Sequence, residues 1–534
     1  MSASKYLLWT CEVSGEKNIG GFKMGGLFGI VSKENCFHDL FYGIDYHSHL
    51  GTTIGGFTVL SDRIAESTYH DISNSQFKTE FKEDFEKLGG NLGIGVISSI
   101  ENDKQPIVFR SRLGTFALCT DGSILNADAL ISEMVEEGVS FNEFTSGFNQ
   151  TELVGEMICK GTSITDGISK MHDKIDGTVS LLLLSENERR IYASGGFFPL
   201  IVGKKTMSNG DNWAIASETT AFSNLNYDVH RYPRYKDILS IDEDGFKMNR
   251  ESPDKVMFCP FLHVYFDFPT SSHYGINGEI VRERCGTFLV KDDDVKPNLI
   301  MGVADSGIPH GHGYAKGRIE LATKKSMEAI SLFEQGVMDV DNLKSIFKES
   351  LEMIAPLRRA VIKFTAGWGR SYIPPQQSTR DMIAYYKQVS NPGIILNQSI
   401  VLVDDSIRRG TQLRRYLNEK IWPHKPKEVH ARIASPPQLF VCYFDQTTND
   451  SDLIARKAVK RIEGEELEDL DAYFDVSTEK YKKMVDIINE SIGATSLKYI
   501  SLGDMVKAVI EAPGNTVLKE ENLCAYCWTG KKPT

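Results

Sequence analysis

The stretch that most constrains this chain is Ser399–Leu417, SIVLVDDSIRRGTQLRRYL. Ile400–Val403 is a short apolar run rich in β-branched residues with turn chemistry directly behind it, which reads as a buried strand of a parallel sheet. Asp404 and Asp405 follow, then Ser406, the basic turn Ile407–Arg408–Arg409, and Gly410–Thr411. Leu413, Tyr416 and Leu417 then fall at helical spacing. A strand that turns straight into a helix leaves backbone N–H groups unpaired at the helix start, and these make an anion site. Gly410 lets the backbone come close to a phosphate. The adjacent carboxylates suit a hard divalent cation, the hydroxyls of a ribose, or both. A phosphorylated sugar bearing a metal-bound diphosphate needs all of these groups. A strand with a merely solvated acidic end would not need them in this order.

The rest of the chain bounds the context. At 534 residues there is room for two or more domains and an ample core. A net charge of −12 disfavours nucleic acid and membrane surfaces as partners. The opening MSASKYLLWTCEVSGEKN lacks the apolar centre of a secretory signal. No apolar run approaches the ~20 residues a membrane helix needs. Nine cysteines in a chain of this length fit a reducing, cytoplasmic setting better than a disulfide framework.

Strands are expected at Gly25–Lys33, Gly55–Leu60, Leu92–Ser98, Gly114–Cys119 and Thr178–Leu184, with a helix at Thr151–Cys159. The polar stretch 247–256 reads as a linker. Beyond it Leu299–Val303 reads as a strand ending in Asp305-Ser306-Gly307, a second loop at the carboxyl edge of the same sheet as Ile400–Val403. Such edges bind ligands in open α/β sheets. Lys316–Leu357 reads as mostly helical, Val429–Ile433 as a strand, 463–482 as an acidic surface insertion, and Ser496–Val509 as a strand followed by a helix.

VLVDDSIRRGT closely resembles the phosphoribosyl-pyrophosphate (PRPP) signature of type I phosphoribosyltransferases, with Gln412 where a second threonine is common. From Gly25 onward the chain resembles the glutamine PRPP amidotransferase, or amidophosphoribosyltransferase, family. The landmarks are GGLFGIVS, ASETTAF (Ala216–Phe222), HVYF (His263–Phe266), ADSGIP (Ala304–Pro309), GRSYIPPQQSTR (Gly369–Arg380), KEVHARIASPP (Lys427–Pro437) and CAYCWTG (Cys524–Gly530). The resemblance implies an α/β chain in which an α+β N-terminal-nucleophile-hydrolase sandwich precedes a type I phosphoribosyltransferase parallel-sheet domain. The implied divisions are an extension (1–24), a glutaminase-like domain (25–250), a transferase domain (257–510) and a tail (511–534). Lys316–Leu357 is longer than the family leads one to expect.

The family's glutaminase half starts with a cysteine whose thiol attacks glutamine and whose own α-amino group is the base. Here Gly25 stands at that position, behind 24 residues. Cys11 and Cys36 do not match its context. The family's arginine for the glutamine carboxylate is matched by Val96, its asparagine-glycine oxyanion element by Asp121-Gly122, its amine-binding acid by Gln150, and the arginine after its active-site histidine by Leu50. A carboxylate at an oxyanion site repels the charge that develops there. The expectation is a glutaminase-like domain that has lost glutamine hydrolysis.

The transferase half matches instead. Asp404 and Asp405 correspond to the family's ribose and metal carboxylates, and Ser406, Ile407, Arg408, Arg409, Gly410 and Thr411 to its 5′-phosphate loop. Asp305 and Ser306 correspond to the loop near the metal, so Ser306, Asp404 and Asp405 would hold Mg2+. Arg370, Gln377, Arg380 and Lys387 match the loop that closes on PRPP and would exclude water. With diphosphate as leaving group, positioning and electrostatics supply most of the rate. One departure is Phe268, where the family's YF-x-RP element carries a basic residue.

Cys524 and Cys527 form a C-x-x-C pair, and four thiolates from distant segments suit a zinc ion or an iron–sulfur cluster. The resemblance adds Cys259 and Cys442 and implies a four-iron four-sulfur cluster. The remaining cysteines, 11, 36, 119, 159 and 285, read as buried small hydrophobes or free thiols. The leading functional reading is a transferase making 5-phosphoribosylamine from PRPP and ammonia for purine synthesis, within a homo-oligomer that a purine nucleotide could regulate. The alternative is a PRPP- or nucleotide-binding regulatory protein without transferase activity.

Overall fold

The computed structural model describes residues 25–532, apart from 52, 74, 86, 101–102, 143–147, 365–385, 446–448 and 465–469. The N-terminal unit is built from two stacked antiparallel sheets. The first runs, in spatial order, Asp228–Arg231, Ile201–Met207, Gly210–Ala216, Gly26–Val31, Leu92–Ser98, Ile54–Leu60 and Thr68–Asp71. The second runs Gly245–Arg250, Ile238–Asp242, Arg190–Ser194, Gly177–Ser185, Gly114–Ile124 and Ile107–Ser111.

Strand alternation decides what lies between them. Leu27, Val31, Ile94 and Val96 point inward and meet Cys119, Leu182, Leu184 and Ile191 of the second sheet. Phe28, Ile30 and Phe57 point outward and pack with the helix Phe37–Asp45. On the far side of the second sheet, Phe116, Leu181 and Leu183 pack with the helices Ala127–Glu136, Gln150–Cys159 and Ile164–Lys174. The result is a four-layer helix–sheet–sheet–helix sandwich.

The C-terminal unit is a parallel sheet of Leu299–Gly302, Ser399–Asp404, Glu428–Ile433 and Ser496–Tyr499. Pro356–Arg358 adds a short chain alongside Ile300 on its other side. Numbered along the sequence, the order across the sheet is therefore 2-1-3-4-5. In that doubly wound order the direction of winding reverses between the first and third strands, and ligands bind at their carboxyl ends. Ile400 and Leu402 enter one core and Val401 and Val403 the other, each fully buried. Burial on both faces is why this strand reads as an unbroken apolar run.

Two readings change. Residues 247–250 of the expected linker belong to the strand Gly245–Arg250, paired with Ile238–Asp242. The polar side chains of this edge strand hide the pairing from a composition argument. The stretch expected as a surface insertion contributes Tyr473 to the core, fully buried, with its hydroxyl donating to Glu463 at 2.6 Å. The long helical stretch is a hairpin of Gly307–Glu334 and Val340–Glu352. No helix among the described residues is long and apolar enough to cross a membrane.

Candidate active site

The loops after the first and third parallel strands lie side by side, because Gly302 is in register with Val403 and the Val303 N–H donates to Val403 O at 2.9 Å. This brings Ser306 against Asp405. The Ser306 hydroxyl hydrogen-bonds the Asp405 carboxylate, Ser406 Oγ donates to Asp405 Oδ1 at 2.6 Å, and the Asp405 N–H donates to Asp404 Oδ1 at 3.0 Å. Burial raises the pKa of both carboxyls, and the Asp405 charge pushes Asp404 further, well above the usual carboxylate range. Two buried acids so placed favour a positive charge beside them.

The phosphate loop closes the site. Gly410 takes φ +78°, a left-handed turn, and a Cβ there would lie 2.3 Å from Ile454 Cδ1. The helix Thr411–Tyr416 starts directly after it. The Ile407 side chain is buried in the core, so only its backbone can face a ligand. Arg409 meets Asp452 at 3.4 Å, and Arg408 meets Asp445 at 2.5 Å. Lys387 stands beside the hairpin of Val361–Lys363 and Gln388–Ser390, its carbonyl accepting the Phe364 N–H. Arg370, Gln377 and Arg380 lie outside the described residues.

Sequence reasoning missed several neighbours. Lys363 pairs with Asp305 at 2.9 Å. The Tyr416 hydroxyl is buried without a hydrogen-bond partner among the described residues, near enough to Asp404 to feel its charge. Arg282, buried and bonded to Asp267 at 3.0 Å, lends positive potential to Asp405. Tyr416 was legible only as a helix-periodic core residue, and the pairs of Lys363 and Arg282 span too much sequence to be read from spacing.

The glutaminase-like unit is closed where the family has its nucleophile. The Gly25 N–H donates to Asp121 Oδ1 at 2.7 Å. A Cβ at Gly25 would sit 2.6 Å from Ile97 O and 2.9 Å from Asp121 Oδ1. Val96 is buried between the sheets, Gln150 opens the helix Gln150–Cys159, and Leu50 packs into the core shared with Phe258 and Val264. Behind them Glu218 accepts from His49 Nε2 at 3.0 Å and from the Phe268 N–H at 3.2 Å. This contact ties the two units together. His47 Nδ1 donates to Gly43 O, and its Nε2 accepts the Glu218 N–H. Burial lowers its pKa to about 4, in keeping with a neutral ring.

Burial raises Asp121 from 3.8 to about 7, against the hydrogen bond from Gly25. The folded chain therefore favours the protonated acid while the unfolded chain ionises first, so stability falls as the pH climbs from about 4 to about 7. Asp121→Asn should remove that fall. Thermal melting is expected to show a higher Tm than wild type at about pH 8 and no gain near pH 4.

Four cysteines from three segments, Cys259, Cys442, Cys524 and Cys527, come close enough to act on one another. Cys442 and Cys527 share a hydrogen bond that holds the Cys442 thiol below its usual range. Burial raises Cys259, which also feels Cys524 and Cys442, and burial raises Cys524 to about 11. Among the described residues, no group of three or more His, Cys, Asp or Glu is arranged to hold a metal ion. Of the others, Cys36, Cys119 and Cys285 are buried and Cys159 is half-buried, while Cys11 lies outside the described residues.

Residues 94–224 match the model of a glutamine amidotransferase domain. The amidophosphoribosyltransferase of Methanocaldococcus jannaschii is 26% identical over 542 residues, spanning 96% of this chain and 98% of its own. That of Bacillus subtilis is 26% identical over 523 residues, spanning 95% and 94%. The solved B. subtilis glutamine PRPP amidotransferase, complexed with ADP and GMP, superposes with a TM-score of 0.72 at 24% identity, covering 95% of this chain and 97% of that one. Its likeness supports the fold: an N-terminal-nucleophile-hydrolase sandwich followed by a type I phosphoribosyltransferase sheet. Along nearly its whole length, then, the chain is similar to amidophosphoribosyltransferases, and its first half also matches a glutamine amidotransferase domain.

Proposed function

We propose that this chain forms 5-phosphoribosylamine from PRPP and ammonia and does not hydrolyse glutamine. The observation that carries the transferase half is the meeting of Ser306, Asp404 and Asp405 at the switch point of the sheet. Their raised carboxyls fit a Mg2+ ion, which would supply positive charge and neutralise a departing diphosphate. Asp404 and Asp405 would orient the ribose hydroxyls, and the turn through Gly410 would hold the 5′-phosphate. The closed Gly25–Asp121 contact supports the loss of glutamine chemistry: it puts a glycine where the resemblance expects the nucleophile and a carboxyl where it expects the oxyanion donor. Cys259, Cys442, Cys524 and Cys527 would hold a four-iron four-sulfur cluster. Their mutual electrostatic contacts across three segments are what supports this reading.

A nucleotide-binding role without transfer is the second reading. Phe268 favours it, being exposed and packed against His49 where the family has a basic residue. One assay separates the two: diphosphate release from PRPP and Mg2+ with either ammonium or glutamine. Ammonium-dependent release without glutamate formation is expected. Gly25→Cys alone should leave glutamine untouched, because the new Cβ meets Asp121 and the chain nitrogen remains an amide. PRPP binding with no release would decide for the second reading.

A further inference from the structure

The phosphate loop is strapped to the cysteine segment. The Arg408 guanidinium bonds Asp445 at 2.5 Å, and the Asp445 side chain is 1% exposed against 30% for Arg408. The Asp445 N–H donates to Cys442 O at 2.8 Å. The same connection grips the loop from its other end, where the Ile454 N–H donates to Arg408 O at 2.9 Å. The C-terminal tail fixes this segment in turn. The Leu439 and Phe440 N–H groups both donate to Cys527 O, and Cys442 is bonded to the Cys527 thiol.

A buried carboxylate facing a partly exposed guanidinium is an orienting group: it fixes where the fork points and leaves its outer N–H groups available to an anion. From this geometry we infer that Asp445 is a positioning residue for the 5′-phosphate loop. It acts through Arg408 and links the loop to the packing of the cysteine segment. The inference rests on the proposed PRPP site. By linkage, a phosphorylated ligand that engages Arg408 must stabilise the Cys442–Asp445 turn, and loosening that turn must weaken the ligand by the same factor.

The test is PRPP affinity in the presence of Mg2+, by calorimetry, for wild type, Asp445→Asn, Arg408→Ala and the double variant. Asp445→Asn is expected to weaken PRPP by about tenfold to a hundredfold, the scale of a lost charge-assisted contact. Arg408→Ala should weaken it similarly, and the double variant should be no worse than the weaker single one, because the two residues act in series. Hydrogen exchange on the unaltered protein gives a second readout that does not depend on a variant folding: PRPP should slow exchange across Val441–Asp445. The inference is overturned if Asp445→Asn binds PRPP within about twofold of wild type, if the two losses multiply, or if exchange there is unchanged while the loop itself is protected. Wild type that fails to bind PRPP overturns the site reading itself, and this inference with it.

Discussion

Replacing Asp404 and Asp405 together by asparagine is expected to abolish ammonia-dependent diphosphate release while the protein keeps its fold and melts at a higher temperature. The two effects have one cause. Burial raises both carboxyls and the Asp405 charge raises Asp404 further, so near neutral pH the folded chain holds them at a cost that the unfolded chain does not bear. Asparagine has nearly the same shape and no charge, so it removes the cost. The same charge is what a metal diphosphate and ribose hydroxyls require. Losing one preorganised charged contact in a transition state costs roughly 10² to 10³ in rate, and losing both should exceed that without being additive. Diphosphate release and calorimetric melting, side by side, check the pair of outcomes. A variant as active as wild type would sink the site assignment. A variant that is inactive and less stable would mean the carboxylates are structural.

The sequence announced this site clearly because each of its parts has a local signature. An apolar run buried on both faces, two acids, a hydroxyl and a glycine with positive φ all lie within the stretch Ser399–Thr411. What it could not announce are the contacts that close over long separations. Asp445 lies 37 residues from Arg408, and Lys363 lies 58 from Asp305; no periodicity links either pair. The departures of the glutaminase-like unit from the family pattern were legible as residue types at Gly25, Val96, Asp121 and Gln150. Its positive content, a carboxylate accepting the Gly25 N–H, needed coordinates. The fold followed the same rule. Strands with clean alternation or double burial were predictable, whereas Gly245–Arg250 was not, because an exposed edge strand carries linker-like residues.

The second large effect concerns the tail. Cys524→Ser with Cys527→Ser is expected to strip bound iron and lower the melting temperature by about ten degrees or more, as follows when ligand binding is coupled to folding. The tail joins two segments besides the thiols. The Cys524 N–H donates to Phe258 O at 2.9 Å, and Trp528, buried at 2% exposure, donates from Nε1 to Pro436 O at 3.2 Å. Packing therefore holds the tail too, and the two contributions need separating. Trp528→Ala leaves every thiol in place and should cost about 3–5 kcal/mol from lost burial. Protein purified without oxygen should be brown, with about four irons per chain if the four thiols hold a complete cluster. Under a cluster, the serine variant loses both colour and stability, whereas Trp528→Ala loses stability and keeps iron when the folded protein is assayed cold. If the serine variant melts with wild type, the thiols are bystanders to a tail held by Trp528. Colourless protein carrying stoichiometric zinc would replace the cluster with a single ion and require the thiols to draw together.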